Sequence, residues 1–132
     1  MAVLFGSPAK AQQCAPAAMV LLQLESLFRE TIRHQATRDN GEEILVLVSS
    51  DNKTVSVVAA VPQMRGILCM AVAGEKWRAR ENAYFFDADD GTTLAFVVEP
   101  DGSWVFMVNG EIRTQGRNWR RVSPDPKFGM AV

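Results

Sequence analysis

Apolar residues recur at spacings of three and four between residues 16 and 38. Ala17, Leu21, Leu24, Phe28 and Ile32 form a stripe that Val20 and Leu27 widen. That period predicts an amphipathic helix over 16–38. Pro16 suits a first helical position, where no backbone donor is needed. Glu25–Arg29 and Glu30–His34 sit four apart in the favourable order, and Arg33 and Arg38 oppose the helix dipole in the last turns. Asn40-Gly41 supplies a residue that takes positive φ, so the helix is expected to stop there.

Beyond Gly41 the period shortens to that of strands. Val-rich runs at 44–50 and 54–61 are separated by the turn-like Asp51-Asn52-Lys53. Further runs cover 66–73, ended by Gly74, then 77–87, 92–99 and 103–109. Pro100-Asp101-Gly102 fits a three-residue hairpin, with Gly in the left-handed position. Residues 110–132 are rich in Gly, Pro and Arg and read as an irregular tail. The predicted fold class is α+β: an N-terminal helix packed on an antiparallel meander of about six strands, strongly curved or half-barrel.

The hairpin at 100–102 sets Glu99 opposite Ser103. Val98 then faces Trp104, Phe96 faces Phe106 and Leu94 faces Val108, on a surface where the helix stripe is expected to pack. A four-residue loop at 88–91 sets Asp87 opposite Thr92, Phe85 opposite Leu94 and Arg80 opposite Glu99. The reverse surface carries Tyr84, Phe86, Ala95, Val97, Val105 and Met107. The first hairpin is apolar on both sides as well: Val46, Val48, Val55 and Val57 alternate with Leu45, Leu47 and Val58. One helix does not cover two apolar faces. Curling of the sheet, the C-terminal tail or a second subunit is needed.

Composition adds bounds. The 132 residues are 48% hydrophobic and 22% charged, which suits one globular domain. With 14 Lys+Arg against 15 Asp+Glu the net charge is −1, so nucleic acid is not the expected partner. No apolar run approaches the roughly 18 residues of a membrane span.

Residues 1–11 read as the remnant of an export signal. Ala9 and Ala11 occupy the small-residue positions of a cut before Gln12, and Gly6-Ser7-Pro8 break the apolar segment ahead of it. The basic start and most of the apolar middle are missing, and the competing reading is an Ala-rich disordered terminus. Residues 12–132 then form the domain. The expected location is periplasmic or secreted, with cytoplasmic as the alternative. Cys14 and Cys69 are the two cysteines. In an oxidising compartment they form one disulfide; in a reducing one Cys69 is a small buried hydrophobe.

Catalytic signals are thin. His34 reads as a solvent-facing histidine near a helix end. No nucleophile elbow, phosphate loop or paired zinc ligands occur, and a Cys69–His34 thiol enzyme has no supporting signature. In Asp87-Ala88-Asp89-Asp90-Gly91 the glycine arrives one place early for a calcium loop. Glu81 and Glu99 offer carboxylates with no spacing readable from sequence. No metal or cofactor is expected, and enzymatic function is not the leading reading.

Two Arg/Trp clusters remain: Trp77 with Arg78, and Arg113, Arg117, Trp119, Arg120 and Arg121. Guanidinium forks bind carboxylate or phosphate, and indole offers a flat surface. The competing reading has these cations solvated or paired and the tryptophans covering core edges. The expected function is a small non-catalytic binding module of the cell envelope. It presents a sheet face and these clusters to a protein or glycan partner, or self-associates through that face. The alternative is a small-molecule carrier or enzyme with a pocket between helix and curved sheet.

Overall fold

A computed structural model describes residues 14–122. The proposed export-signal remnant at 1–11 and the tail beyond Val122 lie outside the described residues. The elements are β1 (Cys14–Pro16), α1 (Ala17–Phe28), β2 (Glu30–Arg38), β3 (Glu43–Ser49), β4 (Thr54–Ala60), β5 (Ile67–Arg80), β6 (Ala83–Asp87), β7 (Thr93–Val98), β8 (Trp104–Val108) and β9 (Glu111–Arg121). From β2 to β9 each strand pairs antiparallel with the next. β9 returns to pair with β2, closing an eight-stranded barrel. The α+β half-barrel expectation is therefore incorrect. The described residues form a closed antiparallel β-barrel with one short helix on its outside.

Two misread segments account for the difference. The helix ends at Phe28, because Arg29 takes the left-handed conformation (φ 58°) and its N–H caps the Glu25 carbonyl at 2.9 Å. Residues 30–38 continue as a strand, so the Glu30–His34 helical pair does not exist. The supposed tail at 110–121 is the closing strand. Asn109 and Gly110 both have positive φ (50° and 87°), the requirement of a two-residue hairpin turn with the proper twist.

Pairing of β7 with β8 follows the expected register: Val98↔Trp104, Phe96↔Phe106, Leu94↔Val108. That of β6 with β7 is shifted by one: Asp87↔Thr93, Phe86↔Leu94, Tyr84↔Phe96. Ala88 donates to the Thr92 carbonyl at 2.9 Å, leaving a three-residue loop with Gly91 at φ 88°. Phe86 therefore points inward and Phe85 outward. Arg80 lies opposite Ala83, not Glu99. The single run predicted at 77–87 is two strands turning at 81–82, and β5 runs straight through Gly74. A Cβ there would lie 2.5 Å from the Asp87 carbonyl oxygen and 2.7 Å from the Phe86 ring.

Closure resolves the two-faced apolar pattern. Val46, Val48, Val55 and Val57 point into the barrel with Phe86, Leu94, Phe96, Trp104, Phe106 and Val108. Eight strands give an interior that side chains can fill. The helix does not pack on the Phe96–Phe106 face, which is interior. It covers the outer wall of β3, β4 and β5, where Leu24 meets Leu47, Val58 and Leu68 with Val20 and Leu21 alongside. The ring shelters the inner face; on the outer wall of β6–β8 Phe85, Val97, Val105 and Met107 remain half-buried.

β1 adds to the stretch of β5 that β6 leaves free. Cys14 lies opposite Cys69, and the two form a disulfide with a Cα–Cα distance of 4.0 Å. Among the described residues no helix is long and apolar enough to cross a membrane.

Candidate anion site at the barrel mouth

One end of the barrel is bounded by the start of β2, the turns at 50–53, 81–82 and 99–102, and the end of β9. A β-bulge between Ile32 and His34 flips β2 there, from Ile32 against the helix to His34 inside the barrel. His34 is 1% exposed. Its ring lies 4.6 Å from Tyr84, 5.1 Å from Trp119 and 5.8 Å from Trp77, centroid to centroid. Trp77 and Tyr84 stack at 5.2 Å, and Tyr84 and Trp119 at 5.8 Å. Trp77 is buried, whereas Tyr84 and Trp119 are half-buried and reach the opening.

Two arginines at this end of the barrel lie near enough to His34 for their charges to act on it. Arg121 lies directly opposite His34 on β9, so its side chain shares the inward face, and it is exposed at the rim. Arg33 occupies the bulge. Its Nη2 donates to the Ser49 carbonyl at 3.2 Å and its Nη1 to Asn52 Oδ1 at 3.4 Å, while its carbonyl accepts from Val122 at 2.8 Å. Burial, then the Arg121 charge, holds the Arg33 guanidinium below its usual range. Among the described residues neither arginine forms an ion pair. Two buried polar atoms lack hydrogen-bond partners here, Arg33 Nε and His34 Nδ1.

Burial first, then the charges of Arg121 and Arg33, push the His34 pKa down to about 3. A buried histidine held neutral favours folding above its unfolded pKa near 6.5, and that contribution is lost as pH falls toward 3. The expected cost is up to about 1.4 kcal/mol per pH unit across that window. Urea denaturation at pH 7, 5.5 and 4.5 should show the stability advantage over His34→Gln shrinking as pH falls. A pH-independent difference contradicts it. Glu30 runs the other way: burial raises its pKa, against weaker lowering by Thr54 and Ser56, so its contribution declines as pH rises above 4.5.

Of the residues singled out from sequence, Trp77, Trp119 and Arg121 converge at this mouth. The others do not. Arg78 projects outward to Asp87 at 3.0 Å. Arg120 projects outward and donates to Gln35 Oε1 at 2.7 Å. Arg117 lies 3.9 Å from Asp39, and Arg113 lies 3.8 Å from Glu111. The carboxylates of 87–90 diverge as well: Asp87 meets Arg78, and Asp90 accepts from the Thr92 amide. Among the described residues no group of three His, Cys, Asp or Glu side chains could hold a metal ion. His34, Arg33 and Tyr84 were not predicted as site residues. Two-residue alternation alone would put His34 on the outer face with Ile32; the bulge between them places it inside.

The mouth therefore combines two unneutralised cations, two buried polar atoms without partners and a wall of rings. An anionic oxygen entering beside Arg33 and Arg121 meets the N–H donors of two guanidinium groups, of which that of Arg33 is already oriented by Ser49 and Asn52. No protein-family model matches this chain, and no curated protein or solved structure matches it either.

Proposed function

We propose that this barrel is a non-catalytic binding module that takes an anionic group of a protein or glycan partner at the Arg33–Arg121 mouth, and that it works outside the cytoplasm. The observation carrying the reading is the pair of like charges, neither ion-paired to a carboxylate among the described residues, beside the partnerless Arg33 Nε and His34 Nδ1. Like charges at close range oppose folding, and an anion removes that penalty on binding. Half-buried Tyr84 and Trp119 supply flat surfaces for the remainder of the ligand. His34 touches rings rather than a nucleophile or an orienting carboxylate, which suits binding better than catalysis. The Cys14–Cys69 disulfide favours an oxidising compartment.

Calorimetric titration at low salt with an oligogalacturonide and with a polyglutamate peptide tests the proposal. At least one is expected to bind, with affinity falling on added salt and at least tenfold in Arg121→Glu. Arg113→Glu, on a rim-distant ion pair, should leave affinity within about twofold. Absence of binding by both probes, or equal binding by Arg121→Glu, defeats the reading.

A further inference from the structure

A second site lies on the outside of the barrel, independent of the mouth. A cleft of about 340 Å³ separates the C-terminal end of α1 from the wall formed by β2, β4 and β5. Leu24, Phe28 and Met70 give it apolar sides; Glu30, Thr54 and Ser56 give it a polar floor. Glu75 and Asp89 complete the lining, which among the described residues includes no lysine, arginine or histidine. Glu30 is 2% exposed; its Oε1 and the buried Thr54 Oγ1 have no hydrogen-bond partner of good geometry, although the Thr54 and Ser56 hydroxyls lie close enough to the carboxyl to lower its pKa against burial. A carboxylate withdrawn from water with one oxygen left unbonded is an uncompensated cost. Structures keep such groups where a ligand or a water completes them.

We propose that this cleft binds a small alkylammonium ligand, its protonated amine on Glu30 and Thr54 and its apolar chain between Leu24, Phe28 and Met70. An ammonium brings three donors and a positive charge. The cleft offers a carboxylate oxygen and a hydroxyl oxygen without partners, and its charged lining among the described residues is acidic. An anion or a neutral hydrocarbon would leave the Glu30 oxygen as it is. The volume falls in the range of roughly 300–1,000 Å³ of small-molecule sites.

The charged groups facing the cleft are Glu30 on β2, Glu75 on β5 and Asp89 in the β6–β7 turn, and α1 lends only Leu24 and Phe28. Arg29 follows Phe28 but is exposed at the helix cap and does not line the cleft. Burial raises the Glu30 pKa, and a cation seated at its carboxylate opposes that shift.

Titration of n-hexylammonium chloride into isotopically labelled protein, followed through the backbone amides of Thr54, Ser56 and Met70, tests this site. Saturable shifts are expected, with n-hexanol at least tenfold weaker and Glu30→Gln at least tenfold weaker. Glu75→Gln, on the exposed rim, should weaken binding by about threefold, so the test survives even if Glu30→Gln folds poorly. Arg121→Glu should leave the titration unchanged, which separates this site from the mouth. Linear, non-saturating shifts, or n-hexanol binding as tightly as the ammonium, would mean a hydrated or merely greasy void and overturn the proposal.

Discussion

Replacing Gly116 with alanine is expected to prevent the barrel from closing in its native form. A Cβ at this position would lie 1.9 Å from the Thr37 carbonyl oxygen, 2.8 Å from the Arg38 Cα and 2.8 Å from the Trp104 ring. Two of these obstacles are backbone of β2, the strand that β9 must meet. The third is the fully buried Trp104, whose Nε1 donates to the Arg117 carbonyl at 3.1 Å. None can yield without breaking the seam between the first and last barrel strands. The expected loss is about 3 kcal/mol or more, the upper end for a forced methyl in a packed site. Chemical denaturation and near-ultraviolet circular dichroism should show it. Gly91→Ala is the comparison: nothing lies within 4 Å of its Cβ, and its cost is that of a positive φ alone, about 1 kcal/mol. Equal stability of the two variants would refute the seam argument.

Removing the disulfide with Cys14→Ser and Cys69→Ser is expected to lower stability by about 4 kcal/mol. The bridge closes a loop of 55 residues, and chain-entropy arithmetic gives that figure for an unstrained link. The loss should not be uniform. α1 is held between β1, which the bridge fixes to β5, and β2, with only Leu24 fully buried among its residues. Without the bridge one tether remains. Amide exchange should therefore accelerate first in α1 and β1, while interior positions around Phe96 and Phe106 stay protected up to global unfolding. Exchange rising evenly across the chain would show that the bridge acts only on the unfolded state.

The central hairpins were legible from sequence because turn chemistry and two-residue alternation agreed there. Pro100-Asp101-Gly102 set the β7–β8 register, and the apolar residues on both faces of residues 44–58 showed that more than one helix had to shelter them. The N-terminal misreading arose because Ile32 continues the spacing of Leu21, Leu24 and Phe28. A helical stripe and a strand against the same helix both place Ile32 on that outer packing. What separates them is Arg29 in the left-handed region, a conformation that arginine's identity does not advertise. Closure was missed at a place where a signal existed: Asn109-Gly110 is a strong hairpin dipeptide, and residues 111–121 had to be a strand.

The site was legible in parts. Trp77, Trp119 and Arg121 could be listed as chemistry, but grouping them depends on which of the alternating residues face inward after bulges in β2, β5 and β9. Each bulge inverts the faces beyond it. Arg120 and Arg121 are neighbours in sequence and belong to opposite surfaces. Glu30 and His34 were hidden by the helix reading, which placed both on a solvated side.

The pairing of β2 with β9 carries a consequence for biosynthesis. The ring's two halves of one seam are separated by nearly the whole described chain, so a nascent polypeptide exposes the free edge of β2 until Arg121 has emerged. During that interval the open edge is a template for another chain's strand. Truncation a few residues short of 121 should thus yield sticky, self-pairing material rather than a slightly smaller barrel.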